Sequence, residues 1–266
     1  MELTAEMRGQ VFDYLLRHAD DRLVLGHRLS EWCGHAPMLE EDLALANIAL
    51  DLIGQATLLY KLAAQTEDSG RTEDDLAFLR DPSEFRNLQL VEQPNGDFAF
   101  TIARQFFFDA YDVPFLENLS RSAHPELAGI GAKALKEAQY HLRHTQQWML
   151  RLGDGTDESH RRLQDAVDDL WCFSQELLVP DSLNHALVAA GIAVDLEALR
   201  SLWRATVEQT LREATLEIPS DAQYMASGSR GGYHTEYLGY LLAEMQVLQS
   251  TIKKSICKGR ICLRGH

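Results

Sequence analysis

The feature that most constrains the fold is a long segment, residues 37–65, that is apolar on nearly every side of a helix. Its centre reads LALANIALDLIGQA over residues 43–56. A helix without a polar face is predicted to lie inside the molecule. The polar exceptions Asn47, Asp51 and Gln55 recur every fourth residue and therefore share one face. Because an isolated buried carboxylate is costly, this row predicts a hydrogen-bonded polar network inside a helical bundle.

Helical periodicity continues through the rest of the chain, and strand-like alternation is almost absent. The predicted helices cover residues 4–32, 37–65, 98–120, 122–152, 159–178, 183–190, 195–216 and 233–251, with a candidate break of the first at Asp20 and Asp21. The first four are each ~30 Å or longer at 1.5 Å per residue, which suits an antiparallel bundle. We therefore predict an all-α fold of one domain, residues 1–252, in which further C-terminal helices extend an antiparallel helical bundle.

Two segments lack strong helical patterning. Residues 67–97 form a long polar connection with at most a short helix near residues 76–79, and it closes at Asp97, a candidate N-cap of the third long helix. Connections longer than ~15 residues are usually functional or mobile, so we expect this one to contact a ligand or partner. Residues 227–232, SGSRGG, are expected to form a flexible loop.

The overall charge argues against one large class of partners. A net charge of −15 opposes binding to nucleic acid, whose phosphates require a basic face. No wholly apolar run approaches the ~18 residues that would span a bilayer. The N-terminal residues MELTAE carry acids where a signal peptide carries Lys or Arg. These features predict a cytoplasmic protein that binds neither nucleic acid nor membrane.

The end of the chain, residues 253–266, differs in composition from the rest. It carries five Lys or Arg and no acid, so we predict that it is not part of the fold. Cys257 and Cys262 lie five residues apart without a second pair, which argues against a structural zinc site.

Residues 133–144, KALKEAQYHLRH, place Lys133, Glu137 and His141 four residues apart on one helix face. Helical bundles build di-iron sites from one carboxylate on each of two helices and Glu-x-x-His on the other two. Ala138 stands three residues before His141, and no histidine of the chain follows a Glu at that spacing. The residues alone therefore argue against an ordinary di-iron centre. They favour an internal polar network that includes Glu31, Asp51, Asp109, Glu137 and His141.

Other catalytic signatures are missing. No Gly-x-Ser-x-Gly elbow, phosphate-binding glycine loop or Gly-x-Gly-x-x-Gly turn occurs in the sequence. Two alternatives to a structural role stay open. One is an active di-iron oxygenase with a non-standard ligand set around Glu31, Asp109, Glu137 and His141. The other is a free-standing helical protein that binds a ligand.

Several blocks of the sequence resemble a known family. They are residues 28–37 (RLSEWCGHAP), 43–48 (LALANI), 90–99 (LVEQPNGDFA) and 236–239 (EYLG). These blocks are similar to the C subunits of bacterial phenylacetyl-CoA epoxidases, which are ferritin-like proteins. The resemblance covers roughly residues 8–250, and the basic tail has no counterpart in it.

The resemblance implies a role in the aerobic degradation of phenylacetate. In that family the catalytic A subunit holds the di-iron site, where the aromatic ring of phenylacetyl-CoA is epoxidised with dioxygen. A reductase subunit delivers the electrons from NADPH. The C subunit is implied to be non-catalytic, to bind no metal or cofactor itself and to support the A subunit in a hetero-oligomer. Self-association and a peripheral contact with phenylacetyl-CoA are further expectations.

The resemblance also assigns positions to a metal site that has been lost. The positions that correspond to the ligands of the catalytic subunit are Glu31, Leu52, Gln55, Asp109, Ala138 and His141. Leu52, Gln55 and Ala138 stand where ligands are expected, so at most half of the ligand set is kept. The remaining carboxylates are expected to join a buried polar network of Asn47, Asp51, Lys133 and Glu137, in which Lys133 supplies the positive charge that iron once provided.

Two further stretches match segments that lie near the acyl-CoA in that family. The first comprises Glu84, Phe85, Arg86 and Asn87, and the second comprises His185, Ala186 and Leu187. Arg80 and Arg86 are expected to meet the phosphates of CoA.

Overall fold

The computed structural model describes residues 4–222 and 224–249. Within these residues there are helices and no strands, as the all-α prediction required. The helices are α1 (Ala5–Ser30), α2 (Leu39–Glu67), α3 (Glu73–Phe78), α4 (Gln89–Glu92), α5 (Phe98–Leu119), α6 (Pro125–Gly153), α7 (Asp157–Ser174), α8 (Ser182–Ala189), α9 (Leu196–Glu213) and α10 (Glu236–Met245).

Four long helices form the centre of the fold. α1 packs along α2, α5 packs along α6, and the two pairs together make the predicted bundle. Thr4 caps α1 by accepting a hydrogen bond from the backbone N–H of Met7 at 3.2 Å. Asp97 caps α5 in the same way through the N–H of Phe100, as predicted. α1 runs unbroken through Asp20 and Asp21, so the candidate break there is wrong.

The shorter helices cover two sides of the bundle. α7 and α9 pack on α5, whereas α4, α8 and α10 lie against α1. Aromatic side chains pack on the α5 side of the bundle. The indole N–H of Trp203 donates to the carbonyl of Phe107 at 3.1 Å. Trp171 packs edge-on to the Phe107 ring. As a result, α1 and α5 are the most buried helices of the bundle, and α2 and α6 form its outer side.

The connection between α2 and α5 is folded onto α1. It buries Phe85, Leu88 and Leu90, which the polar character of this segment did not predict. Its anchor is Asp20, which pairs with the Arg80 guanidinium and accepts a hydrogen bond from the Arg86 backbone N–H at 2.8 Å. A buried carboxylate on α1 therefore fixes the path of a long connection.

The glycine-rich loop near the C-terminus is also tied to α1, so the expectation of a flexible loop is wrong. Its Arg230 donates to both carboxylate oxygens of Asp21, at 3.0 and 2.8 Å. The backbone N–H of Leu88 donates to the same carboxylate at 2.8 Å. Asp20 and Asp21, adjacent on α1, thus hold two separate segments against the bundle.

α2 does not lie wholly inside the molecule. Its inner face is buried, but Leu39, Leu43 and Leu50 are exposed on the opposite side. Within the described residues, α2 is the one helix long and apolar enough to cross a membrane by length and composition alone. In this structure it packs along α1, and an apolar core helix of a bundle meets the same criterion.

Part of the predicted domain division lies outside the described residues. The proposed boundary at residue 252 and the basic tail with Cys257 and Cys262 fall there.

The junction between the bundle and α9 gives a first prediction. A Cβ atom added at Gly153, the last residue of α6, would overlap the carbonyl oxygen of Ala214. Gly153→Ala should therefore lower the free energy of unfolding by about 1–3 kcal/mol, the cost of overpacking a tight contact. Urea unfolding measures the effect. The matched control is Gly129→Ala in the same helix, where the added methyl meets open space and should stabilise by about 0.5–1 kcal/mol. Equal changes in the free energy of unfolding for the two substitutions would contradict a close contact between Gly153 and Ala214.

Candidate functional site

One chain of hydrogen bonds passes through all four helices of the bundle, and Arg22 stands at its centre. Nη2 of Arg22 on α1 lies 2.5 Å from Oδ1 of Asp112 on α5. Nε of the same guanidinium donates to Oε1 of Gln55 on α2 at 2.9 Å, and Nε2 of Gln55 donates to Oε2 of Glu137 on α6 at 2.9 Å. Arg22, Asp112 and Gln55 are buried. We call these four residues the Arg22 network.

A second buried carboxylate lies on α5, one turn before Asp112. Asp109 accepts hydrogen bonds from Nε2 of Gln105 at 2.7 Å and from the hydroxyl of Thr145 at 3.0 Å. No cation pairs with it among the described residues. Burial raises the pKa of the Asp109 carboxyl well above its usual value, and the two hydrogen bonds offset only part of that rise.

His141 faces α2. Its Nε2 lies 3.0 Å from Oδ2 of Asp51, and burial lowers the pKa of the imidazole against the opposing effect of that carboxylate. Further along the same two helices, Nε2 of His144 lies 2.8 Å from Oε2 of Glu41. Together with the bond from Gln55 to Glu137, these contacts form a polar seam between α2 and α6.

Of the positions assigned to a lost metal site, Glu31 lies away from the centre of the bundle. Glu31 lies just beyond α1, where it accepts hydrogen bonds from Arg28 and Asn95. Nine residues separate it from Arg22, which is about 13 Å along a helix. Leu52 and Ala138 are buried in the apolar core. Within the described residues, no group of three or more His, Cys, Asp or Glu side chains is arranged to hold a metal ion.

These residues do not fit a di-iron centre, because the middle of the bundle already contains a cation. The guanidinium of Arg22 faces Asp112, so it neutralises the carboxylate that would otherwise be available to a metal. Gln55 offers an amide in place of an imidazole, and both ends of that amide are engaged.

Two residues predicted for the buried network are at the surface. Lys133 is exposed and, within the described part of the chain, makes no ion pair, so it does not supply the charge that was expected of it. Arg22 supplies that charge instead. Asn47 is exposed as well, because the row of Asn47, Asp51 and Gln55 drifts from the outer to the inner side of α2 along its length.

The stretches predicted to contact acyl-CoA are only partly accessible. Phe85, Asn87 and Leu187 are buried in the core. Arg80 is buried too, bound to Asp20 and stacked 4.1 Å from the Phe85 ring centroid, so it is not available to a phosphate. Four residues of the predicted set keep exposed or half-exposed side chains: Glu84, Arg86, His185 and Ala186.

Sequence reasoning missed the central residues Arg22 and Asp112. A signal was present, since Asp20, Asp21 and Arg22 interrupt the apolar stripe of α1 in mid-helix. That interruption suggested a break in the helix, whereas it marks buried charges. Asp112 follows Asp109 at the i+3 spacing that places two residues on one helix face.

The Arg22 network predicts a strong effect of removing its cation. Arg22→Met should lower the free energy of unfolding by about 3–5 kcal/mol, because it leaves the Asp112 carboxylate buried and unpaired. Lys133→Met, at an exposed position, should change it by less than about 0.5 kcal/mol. Urea unfolding of both variants at neutral pH measures the difference.

A double substitution distinguishes the loss of the ion pair between Arg22 and Asp112 from the loss of side-chain packing. If an unpaired charge causes the loss, Arg22→Met combined with Asp112→Leu should recover most of it, because both ionic groups are then gone. A double variant no more stable than Arg22→Met alone would contradict an electrostatic role for the pair.

The raised pKa of Asp109 predicts how the free energy of unfolding depends on pH. Because burial raises the pKa of the Asp109 carboxyl in the folded chain above that in the unfolded chain, the folded chain binds this proton more tightly, and Asp109 makes the free energy of unfolding fall as the pH rises above about 4. Asp109→Asn removes this contribution. The variant should gain stability relative to the wild-type chain as the pH rises from about 5 to 8, as measured by urea unfolding. Asp74→Asn, at an exposed position of α3, is the control, and a parallel pH dependence of Asp109→Asn and wild type would contradict the assignment.

Comparison with known proteins identifies the family of this chain. The profile of a family described as phenylacetic acid catabolic protein matches residues 1–255. The chain is 52% identical over 244 residues to the C subunit of the 1,2-phenylacetyl-CoA epoxidase of Escherichia coli (strain K12), a match that covers 92% of this chain and 98% of that protein. The chain therefore belongs to the phenylacetic acid catabolic protein family, and the resemblance identified from its sequence blocks is confirmed.

Proposed function

We propose that this member of the phenylacetic acid catabolic protein family is the non-catalytic structural subunit of a multicomponent phenylacetyl-CoA epoxidase. Its role is to hold the catalytic di-iron subunit in its working form during aerobic phenylacetate degradation. The proposal is supported by the name of the Escherichia coli relative, the C subunit of an epoxidase, which this chain matches along almost its whole length.

The observation that carries the non-catalytic assignment is the position of Arg22. A di-iron site binds and activates dioxygen, and it needs several carboxylates and two histidines turned toward the bundle axis. Here the axis contains a guanidinium paired with Asp112, and Gln55 and Ala138 stand where metal ligands were expected. The positive charge of Arg22 would repel a divalent cation placed beside it.

In this proposal the Arg22 network keeps the four helices of the bundle in fixed positions relative to one another. Each of the four helices contributes one side chain to a continuous chain of hydrogen bonds, so no helix can rotate or slide without leaving a buried polar group unpaired. A rigid bundle presents a fixed outer surface to a partner, which lowers the entropic cost of association.

The remaining assignments follow from the same role. Iron is expected in the partner catalytic subunit, and NADPH is expected to act through a reductase subunit, with no cofactor held by this chain. We place the protein in the cytoplasm. A peripheral contact with phenylacetyl-CoA would involve the accessible side chains Glu84, Arg86, His185 and Ala186.

The alternative of an active di-iron oxygenase has little support in the geometry. It requires Glu31, Asp109, Glu137 and His141 to share one metal site. Glu31 is bound to Arg28 and Asn95 at the end of α1, Asp109 is bound to Gln105 and Thr145, and His141 is bound to Asp51.

Reconstitution tests the proposed function. The catalytic subunit and its reductase, expressed with and without this chain, are assayed for NADPH consumption dependent on phenylacetyl-CoA and for epoxide formation. We expect turnover only when this chain is present, and iron only in preparations that contain the catalytic subunit. About two irons per chain in this protein purified alone would contradict the non-catalytic assignment. Full activity without the chain would contradict the structural role.

A further inference from the structure

His234 joins the start of α10 to the segment that connects α2 and α5. Nδ1 of its ring lies 2.5 Å from Oε1 of Glu92 on α4, and Nε2 lies 2.9 Å from the carbonyl oxygen of Phe85. The Glu92 side chain is fully buried, and only 6% of the His234 side chain is exposed. Both ring nitrogens therefore face hydrogen-bond acceptors in a site with little access to water.

This geometry requires a doubly protonated ring. A neutral imidazole carries one N–H, whereas an imidazolium carries two. With a neutral ring, one nitrogen lone pair would face either the Glu92 carboxylate or the Phe85 carbonyl, and the contact with Glu92 would no longer pair opposite charges. Only the imidazolium satisfies both contacts at once.

The acidic groups that face His234 favour the same form of the ring. Burial by itself lowers the pKa of the imidazole. The hydrogen bond and negative charge of Glu92, the backbone carbonyl that the ring faces and the charge of Asp20 on α1 outweigh burial, so the pKa of His234 is raised.

Three arginines lie near the same site, and each of them is bound to another group. Arg80 pairs with Asp20, and Nη2 of Arg28 on α1 donates to the backbone carbonyl of Glu92 at 2.8 Å. Nη1 of Arg86 donates to the Phe85 carbonyl at 2.8 Å, so it shares that acceptor with the histidine ring. These positive charges oppose protonation of the ring, and the carboxylates outweigh them.

We propose that His234 is a pH-sensitive latch: its doubly protonated ring holds α10 closed against the α2–α5 connection, and loss of one proton makes α10 open more readily. The inference goes beyond the proposed function, because it concerns the motion of one helix within this chain and requires no partner.

The loop that precedes the latch has an anchor of its own. Arg230 donates to both carboxylate oxygens of Asp21 on α1. Gly231 and Gly232 separate this anchor from His234, and a glycine backbone has access to many conformations. The chain after Gly232 can therefore move while the loop before it stays attached to α1.

Glu92 is the main polar contact of the start of α10. Besides facing His234, it accepts hydrogen bonds at Oε2 from the backbone N–H and the hydroxyl of Thr235, at 2.8 and 2.6 Å. One further bond, from Nη2 of Arg28 to the carbonyl of Tyr237, is longer, at 3.2 Å. Weakening the contacts of Glu92 therefore acts at the point where α10 begins. Opening exposes the three leucines that α10 buries, Leu238, Leu241 and Leu242.

Hydrogen exchange measured between pH 6 and 9 tests the latch. The contribution of His234 is complete below about pH 6.5 and is lost as the pH rises through the raised folded-state pKa. We expect the protection of α10, corrected for the intrinsic exchange rate and compared with that of α7, to fall about tenfold or more over this range, because a charge-assisted hydrogen bond is lost. Protection of α10 and α7 that changes in parallel would overturn the proposal.

His234→Gln removes the titrating group and keeps a donor for Glu92. In this variant α10 should show, at every pH, the low protection that the wild-type chain shows at high pH. The matched control is His160→Gln on α7, where Nδ1 lies 2.8 Å from the carbonyl oxygen of Gly153, and it should leave the pH dependence of α10 unchanged. A His234→Gln chain in which the protection of α10 still falls with pH as in the wild type would contradict the latch. The wild-type measurement decides the question if the variant does not fold.

NMR follows the ring directly. The imidazole resonances of His234, assigned by their loss in His234→Gln, should titrate with a midpoint above about 6.5, the ordinary pKa of histidine. A midpoint below that value would show that the ring is not held in its doubly protonated form, and the proposal would fail.

Discussion

Three consecutive charged residues of α1, Asp20, Asp21 and Arg22, determine how the rest of the chain is arranged. Because neighbouring residues on a helix point about 100° apart, they face three different segments. Asp20 holds the α2–α5 connection through Arg80, Asp21 holds the C-terminal loop, and Arg22 joins the other helices of the bundle. Buried ion pairs add little net stability, but breaking one is expensive. They therefore select one arrangement of helices over others that would bury equal apolar surface.

The same principle supports the proposal that this bundle holds no metal. A carboxylate-rich interior needs positive charge, and iron is one source of it. In this chain the source is a side chain, since the Arg22 guanidinium pairs with Asp112 and reaches α6 through Gln55. Asp109, which has no cation beside it among the described residues, has its pKa raised by burial instead. Ion pairing at Asp112 and a raised pKa at Asp109 are thus two ways of reducing the cost of burying a carboxylate in this bundle.

Much of the fold could be predicted from the sequence, because helix periodicity and caps are local. The long helices, the cap at Asp97 and the missing Glu-x-x-His pattern needed no three-dimensional information. Ion pairs between residues far apart in the sequence could not be predicted from these local patterns. Arg80 and Arg230 looked like surface or loop residues because their partners, Asp20 and Asp21, lie 60 and 209 positions away. For the same reason the sequence suggested Lys133, one turn from Glu137, as the internal cation and did not point to Arg22.

The central claim is that a guanidinium, and not a metal, neutralises the middle of this bundle. The most direct test is thermal unfolding of the purified chain after exhaustive chelation, with and without ferrous iron under anaerobic conditions. A metal that binds the folded chain must raise Tm, since ligands stabilise the state that they bind. We predict the same Tm in both samples. A Tm that falls on chelation and is restored by a stoichiometric amount of iron would contradict the account.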